Sequence, residues 1–379
     1  MIRRILEGAI KDKLNKGKAI IIYGARQTGK TTLVRKALKD YSKNVLWLNA
    51  DETDVRVLFE KPTSTRLKAI FGDKIIVVID EAQRIHDAGL AFKLVTEQLP
   101  EIQLIVTGSS SFELANKTNE PLTGRKWEYK LFPLSFAELS AHYGLLEEKR
   151  LLSHRLVFGS YPEVVCNPGK EKEILKQLSD SYLYKDLLMI EGIRKADKLL
   201  KLLQALAFQV GNEVKYTELG QMAGFNYETA EKYVDILEKA FVIFRLGALS
   251  RNLRNELKKT RKIYFYDNGI MNALTSQFQP PELRKDLGAL WENYLMSERQ
   301  KLLSYENIWV NNYFWRTHEQ QEIDYIEEKD GSFNAYEFKW NPNAAFKFSK
   351  TFTQAYPEHT TKIIHSENYD EFLTSKKTE

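Results

Sequence analysis

An α/β fold built on a parallel sheet is what this sequence predicts, and three observations carry it. An apolar run, Ala19–Tyr23, opens into Gly24-Ala25-Arg26-Gln27-Thr28-Gly29-Lys30-Thr31, with a helical stretch from Thr31 to Asp40 behind it. A second apolar run, Ile75–Ile79, ends in Asp80-Glu81. Strand-like and helix-like segments alternate through about residue 140, the pattern of a parallel sheet covered by helices.

The first element fits a phosphate-binding loop in the context that such a loop needs. Glycines let the backbone curl so that its N–H groups and the following helix N-terminus face phosphate oxygens. Gly24 to Lys30, with Thr31 and Thr32, form the expected nucleotide-binding set. Lys30 is expected to reach the β- and γ-phosphates, and Thr31 to coordinate Mg²⁺. At the end of the second run, Asp80 is expected to hold Mg²⁺ through water, and Glu81 to polarise the attacking water. No GTPase base-recognition motif is visible, so the nucleotide is read as ATP.

Strands are expected at 19–23, 45–49, 75–79, 103–107 and 127–131, with a helix from Leu90 to Leu99. The strand at 103–107 is expected to insert between the first and third, the additional-strand arrangement of P-loop NTPases. Beyond it, Thr107-Gly108-Ser109-Ser110 offers Thr107 or Ser109 as a γ-phosphate sensor, with a plain Ser/Gly loop as the alternative. Gly124-Arg125 precedes the last strand. Arg125 is read as an arginine finger, in cis or in trans, against the alternative of a solvated arginine.

Residues 141–198 read as a helical lid or linker, with Leu175, Leu178, Tyr182 and Leu183 at helical spacing. Residues 199–270 read as a winged helix. Thr217–Ala223 and Tyr227–Lys239 flank a turn at Gly224-Phe225-Asn226, and strands at 241–249 and 262–267 form the wing. The wing segment 251–262 carries six basic residues, which suits phosphate contact or simple solvation. Glu228, Glu231, Asp235 and Glu238 make the presumptive recognition helix acidic, which favours a protein partner over DNA.

The last segment, 284–379, reads as a helix near Leu287–Leu303 and strands near 308–315, 322–327 and 334–339. Its dense aromatics, Trp309 and Trp315 among them, alternate as a sheet core does. Asp324, Glu337 and Lys339 fall on one face of a hairpin, and Glu292 on the preceding helix completes the set. Glu292, Asp324 and Glu337 would hold a divalent ion, and Lys339 would orient or activate water for phosphodiester cleavage. Charged residues on a solvated strand are the alternative.

Composition sets the outer limits. At 379 residues, 43% hydrophobic and 28% charged, the chain has the makeup of an ordinary multi-domain globular protein. A net charge of +5 neither demands nor excludes nucleic acid. The single cysteine, Cys166, rules out an internal disulfide. No apolar stretch approaches a membrane span, and the N-terminus lacks the apolar core of a secretory signal, so a cytoplasmic protein without membrane contact is expected. The histidines show no zinc spacing.

With these residues in view, the chain resembles the prokaryotic AAA-type (AAA_14-like) P-loop ATPases that carry a C-terminal DUF4143 domain. Gly24–Leu33, Asp80–Arg84, Thr107–Ser111, Leu122–Arg125 and Phe132–Leu139 carry the resemblance. Gly159–Glu163, Tyr184–Leu187, Lys262–Gly269 and the Glu322/Asp324/Glu337/Lys339 cluster extend it. The resemblance implies an AAA-like ATPase core over 1–140, a winged-helix segment, and an α/β domain over 284–379 similar to restriction-endonuclease-like PD-(D/E)xK folds. It implies ATP binding and hydrolysis. Action on nucleic acid is the first functional expectation, and an ATP-driven protein-docking switch without nuclease activity is the rival. A homo-oligomer is expected if Arg125 acts in trans.

Overall fold

The computed structural model describes residues 1–109, 122–189, 196–249, 261–317 and 319–375. Ser110, Ser111, the basic positions 251–260 and the side chains of Tyr184–Leu187 lie outside the described residues. The chain divides into two units: Met1–Leu134 with Lys239–Phe241, and Ser135–Glu238 with Val242–Glu379.

The first unit is built on a five-stranded sheet of order β2-β3-β4-β1-β5. Its strands are β1 (Ala19–Tyr23), β2 (Val45–Asn49), β3 (Ile76–Asp80), β4 (Gln103–Gly108) and β5 (Lys126–Lys130). Every pairing is parallel. β4 stands between β1 and β3, as the additional-strand arrangement requires, and the unit has the P-loop NTPase fold. β1 and β4 are buried at every position, which is why they read as unbroken apolar runs in the sequence. The helix Ala88–Gln98 buries Ala91, Phe92 and Val95.

The second unit carries a seven-stranded sheet of order β12-β11-β10-β9-β7-β8-β6. It comprises β6 (Glu213–Val214), β7 (Ile243–Ala248), β8 (Arg261–Phe265), β9 (Asn311–Arg316), β10 (Glu322–Lys329), β11 (Ser332–Phe338) and β12 (His359–Ile364). The two strands expected as a wing, β7 and β8, pair antiparallel with Ile243 opposite Phe265. β7 also pairs in parallel with β9, Gly247 opposite Tyr313. The segments read from sequence as 199–270 and 284–379 therefore share one sheet. β12 has no counterpart in the sequence reading.

Ahead of β7, the helices Tyr216–Ala223 and Tyr227–Lys239 flank Gly224. The second buries Ala230, Tyr233, Val234, Ile236 and Leu237 at helical spacing. The helix Leu287–Tyr305 follows β8 and buries Trp291 and Asn293. Most C-terminal aromatics line the core, with Tyr325 and Phe314 fully buried. Trp309 departs from that expectation: it lies just outside β9 and is 85% exposed.

A polar knot explains two of the sequence motifs. Asp267 caps the helix Asn268–Thr275 by accepting from the Ile270 N–H at 3.0 Å, and its other oxygen accepts the Ser160 N–H at 2.7 Å. Gly159 has φ 69°, and a Cβ there would meet Asp267 at 2.2 Å, so only glycine fits. Lys301 donates to Ser160 Oγ and to Glu298. Burial pushes the Asp267 carboxyl up despite Lys301 and these N–H donors.

Candidate functional site

In the first unit the chain turns as soon as β1 ends. Gln27 and Gly29 take left-handed φ values of 60° and 92°, which curls the loop and starts the helix Lys30–Ala37. Gly24 has no room for a side chain, since a Cβ would lie 2.1 Å from the Leu131 carbonyl oxygen. Inside the loop the Thr28 hydroxyl donates to the Ala25 carbonyl at 2.8 Å. The buried Lys30 ammonium donates to the carbonyls of Gly24 and Ala25 at 2.9 and 3.0 Å. Arg26 is half-buried, while Gln27 and Thr32 are exposed.

Arg4, which the sequence did not flag, braces this loop. Its buried guanidinium donates to the Thr28 carbonyl at 2.9 Å and to the Phe132 carbonyl at 2.6 Å. The partners lie 24 and 128 residues away in sequence, so no local pattern could reveal them.

The acidic side is assembled from the ends of β3 and β4. The Thr31 hydroxyl donates to one Asp80 oxygen at 2.7 Å, and the Thr107 hydroxyl donates to the other. Thr107 also accepts the Glu81 N–H at 3.3 Å, with Glu81 held in the left-handed region at φ 54°. Gln83, another residue missed from sequence, donates from one amide nitrogen to Glu81 at 2.6 Å and to Ser109 Oγ at 2.9 Å. The two sensor candidates thus differ. Thr107 is buried against Asp80, whereas Ser109 is linked through Gln83 to Glu81.

Hydroxyl and carboxylate oxygens at Thr31 and Asp80 suit a hard divalent cation such as Mg²⁺. A glycine loop, a helix N-terminus and a buried ammonium suit a polyphosphate. The donor set fits Mg²⁺ and a nucleoside triphosphate.

Arg125 lies elsewhere. Its carbonyl accepts the Ala19 N–H at 3.0 Å, at the start of β1, while the loop leaves the far end of that strand. Its guanidinium pairs with Glu97 at 3.0 Å and is half exposed. A five-residue strand, about 13 Å of rise, separates Arg125 from the phosphate loop. The in-cis finger is therefore corrected: sequence order after the sensor strand does not say which end of the sheet a residue reaches.

In the second unit, Glu292, Asp324, Glu337 and Lys339 do converge, joined by residues not in the expected set. Lys262, on β8, places its ammonium 3.1 Å from Glu292, 2.6 Å from Glu322 and 4.0 Å from Asp324. The Tyr264 hydroxyl donates to Glu292 at 2.6 Å. Asp324 accepts the Phe338 N–H at 2.8 Å, and Lys339 donates to one Glu337 oxygen at 2.7 Å. The other Glu337 oxygen is buried without a hydrogen-bond partner. Period-two spacing puts Lys262 and Tyr264 on one face of β8, a signal that the surrounding basic run obscured.

Burial, followed by the charges of Glu292 and Glu337, pushes the Asp324 carboxyl well above the ordinary range. Burial also raises Glu337, against the pull of Lys339. Burial works against the Lys262 ammonium, but Glu292, Asp324 and Glu322 outweigh it and hold the lysine charged. Among the described residues, no three acidic, histidine or cysteine side chains are grouped to hold a metal ion. Glu292 and Asp324, two of the expected metal set, instead flank the Lys262 ammonium. The ammoniums of Lys262 and Lys339 stand among these carboxylates and offset their repulsion.

The acidic helix also differs from its sequence reading. Arg245 on β7 engages Asp235 at 2.6 Å and Glu238 at 2.8 Å, so these two acids are already paired. Among the described residues, no helix is long and apolar enough to cross a membrane.

Comparison with known proteins adds family matches over three segments. The family model described as "AAA domain" matches residues 16–140. "Domain of unknown function (DUF4143)" matches 287–376, and "Domain of unknown function (DUF8612)" matches 149–281. An uncharacterized protein of Mycobacterium tuberculosis is 26% identical over 347 residues, covering 89% of this chain and 74% of that one. An uncharacterized protein of Haemophilus influenzae is 27% identical over 277 residues, covering 66% and 67%. Among solved structures, the RuvB Holliday junction branch migration motor of Thermotoga maritima aligns at 15% identity and a TM-score of 0.32. That alignment covers 64% of this chain and 90% of RuvB.

Proposed function

We propose that this chain, an AAA domain over residues 16–140 joined to a DUF4143 domain over residues 287–376, binds and hydrolyses ATP with Mg²⁺ in its first unit. The supporting observation is Lys30 buried in the glycine loop after β1, with Thr31 bonded to Asp80 at the end of β3 and Gln83 linking Glu81 to Ser109. Lys30 and the loop N–H groups bind the phosphates, and Thr31 with Asp80 holds the cation. Glu81 takes the proton of the attacking water, and Ser109 reports the γ-phosphate to Glu81 through Gln83. When bound, Mg²⁺ neutralises charge on the phosphates.

For the second unit, ATP-driven docking of a protein partner is the better-supported of the two expectations. Lys262 stands among the cluster acids where a nuclease would hold its metal ion. ATP turnover measured with and without duplex DNA, beside cleavage of labelled DNA in Mg²⁺ or Mn²⁺, tests both parts. Turnover without cleavage is the expected result. Absence of turnover would overturn the ATPase reading, and cleavage lost in Asp324→Ala would overturn docking in favour of a nuclease.

A further inference from the structure

We propose that Lys262 is the resident cation of the carboxylate cluster, standing between Glu292, Glu322 and Asp324 and thereby closing that cluster to a divalent ion. The cluster lies wholly in the second unit, so this holds whether or not the first unit hydrolyses ATP.

Lys262 is fixed in place. Its side chain is 2% exposed, it stands in the β8 ladder opposite Leu246 and Glu213, and its ammonium packs over the Phe314 ring at 5.5 Å. A lysine so enclosed cannot swing into solvent without leaving three half-buried acids without their shared cation, a costly exchange. It therefore differs from Lys339, which is one-third exposed and whose ion pair is with Glu337.

Part of each acid is already engaged by donors of the protein. Glu292 Oε1 accepts from both Lys262 and the Tyr264 hydroxyl, and an oxygen offers two lone pairs. The Lys262 ammonium and the Phe338 N–H face the two oxygens of Asp324. A divalent ion entering here would have to displace these donors and then sit beside a fixed ammonium. Like-charge repulsion at that separation is strengthened where the surroundings are half-buried. Glu337 Oε2 is buried without a hydrogen-bond partner, but a single ligand atom does not make a site.

Lys262 and Tyr264 come from the segment matched by one family, whereas Glu292, Glu322 and Asp324 come from the segment matched by another. The cluster thus joins β8 to the helix Leu287–Tyr305 and to β10. The ion pairs of Lys262 with Glu292 and Glu322 make it an internal ionic joint.

The test is Mn²⁺ binding by the full chain without nucleotide, read by electron paramagnetic resonance. Subtracting the Asp324→Asn variant from wild type isolates this cluster from the nucleotide site. Wild type and Asp324→Asn are expected to bind the same number of ions. Lys262→Met combined with Glu322→Gln removes one charge of each sign and keeps Glu292, Asp324 and Glu337. It is expected to gain one ion, which adding Asp324→Asn abolishes. An additional ion in wild type relative to Asp324→Asn overturns the proposal, as does a folded double variant that gains none. Should the double variant not fold, the comparison of wild type with Asp324→Asn decides.

Discussion

The Thr31 hydroxyl and the Asp80 carboxylate are joined directly, at 2.7 Å, across 49 residues of sequence. This bond holds together the two oxygen donors that Mg²⁺ needs. Thr31→Ala is expected to weaken ATP binding in Mg²⁺ by about tenfold or more, with little effect in EDTA. Titration of a fluorescent ATP analogue under both conditions checks it. Equal losses with and without Mg²⁺ would show that Thr31 serves the loop rather than the ion.

Lys30 and Glu81 separate binding from turnover. Lys30→Ala removes the ammonium buried in the loop and should abolish tight ATP binding. Glu81→Gln should bind ATP normally and turn over about 10² times more slowly or worse, because the amide cannot take the water's proton. Steady-state hydrolysis beside equilibrium binding reads both, and wild-type turnover in Glu81→Gln would remove Glu81 from the mechanism.

Arg4 should matter more than its position near the N-terminus suggests. Arg4→Ala leaves the Thr28 and Phe132 carbonyls without a charged donor, at a cost of about 1–3 kcal/mol. A lower melting temperature and a raised KM for ATP are expected together. An unchanged KM would mean that the brace supports the fold without shaping the loop.

Arg125 lies at the wrong end of β1 to touch a nucleotide bound by its own chain. Arg125→Ala should leave ATP affinity unchanged and, in dilute protein, leave turnover unchanged too. Any loss of kcat should emerge only as protein concentration rises and copies associate. A loss independent of concentration would contradict the geometry.

Asp267 offers a test through pH. Burial raises its folded pKa above the ordinary value of about 3.9, so the folded state binds its proton more tightly than the unfolded chain does. Its contribution is therefore fully present below the unfolded pKa and is lost as pH rises through the folded one. The melting temperature of wild type relative to Asp267→Asn should fall as pH increases from about 4. A difference that grows with pH would reverse the sign and reject the assignment.

Legibility in the sequence followed local physics. β1, β3 and β4 were readable because strands buried on both faces are continuous apolar runs. β12, His359-Thr360-Thr361-Lys362-Ile363-Ile364, was not, since much of this sheet-edge strand is exposed and its sequence is largely polar. The phosphate loop and Asp80-Glu81 were legible as compact motifs. Arg4 acts through carbonyls distant in sequence, and Lys262 was hidden in a basic run whose neighbours 251–260 lie outside the described residues. Asp324, Glu337 and Lys339 revealed that charges would meet, but not which cation would stand among them.

The pairing of β7 with β9 has a practical consequence for anyone dividing this protein. The boundary between the two C-terminal family matches, between residues 281 and 287, runs through a single sheet. A fragment stopped there would bare the β7 edge, and the complementary fragment would bare β9, each a row of unsatisfied backbone groups ready to recruit another chain. Expressed apart, the halves should precipitate or find each other. Expressed together, they form the smallest piece of this region that can be inherited, cloned or lost as a whole.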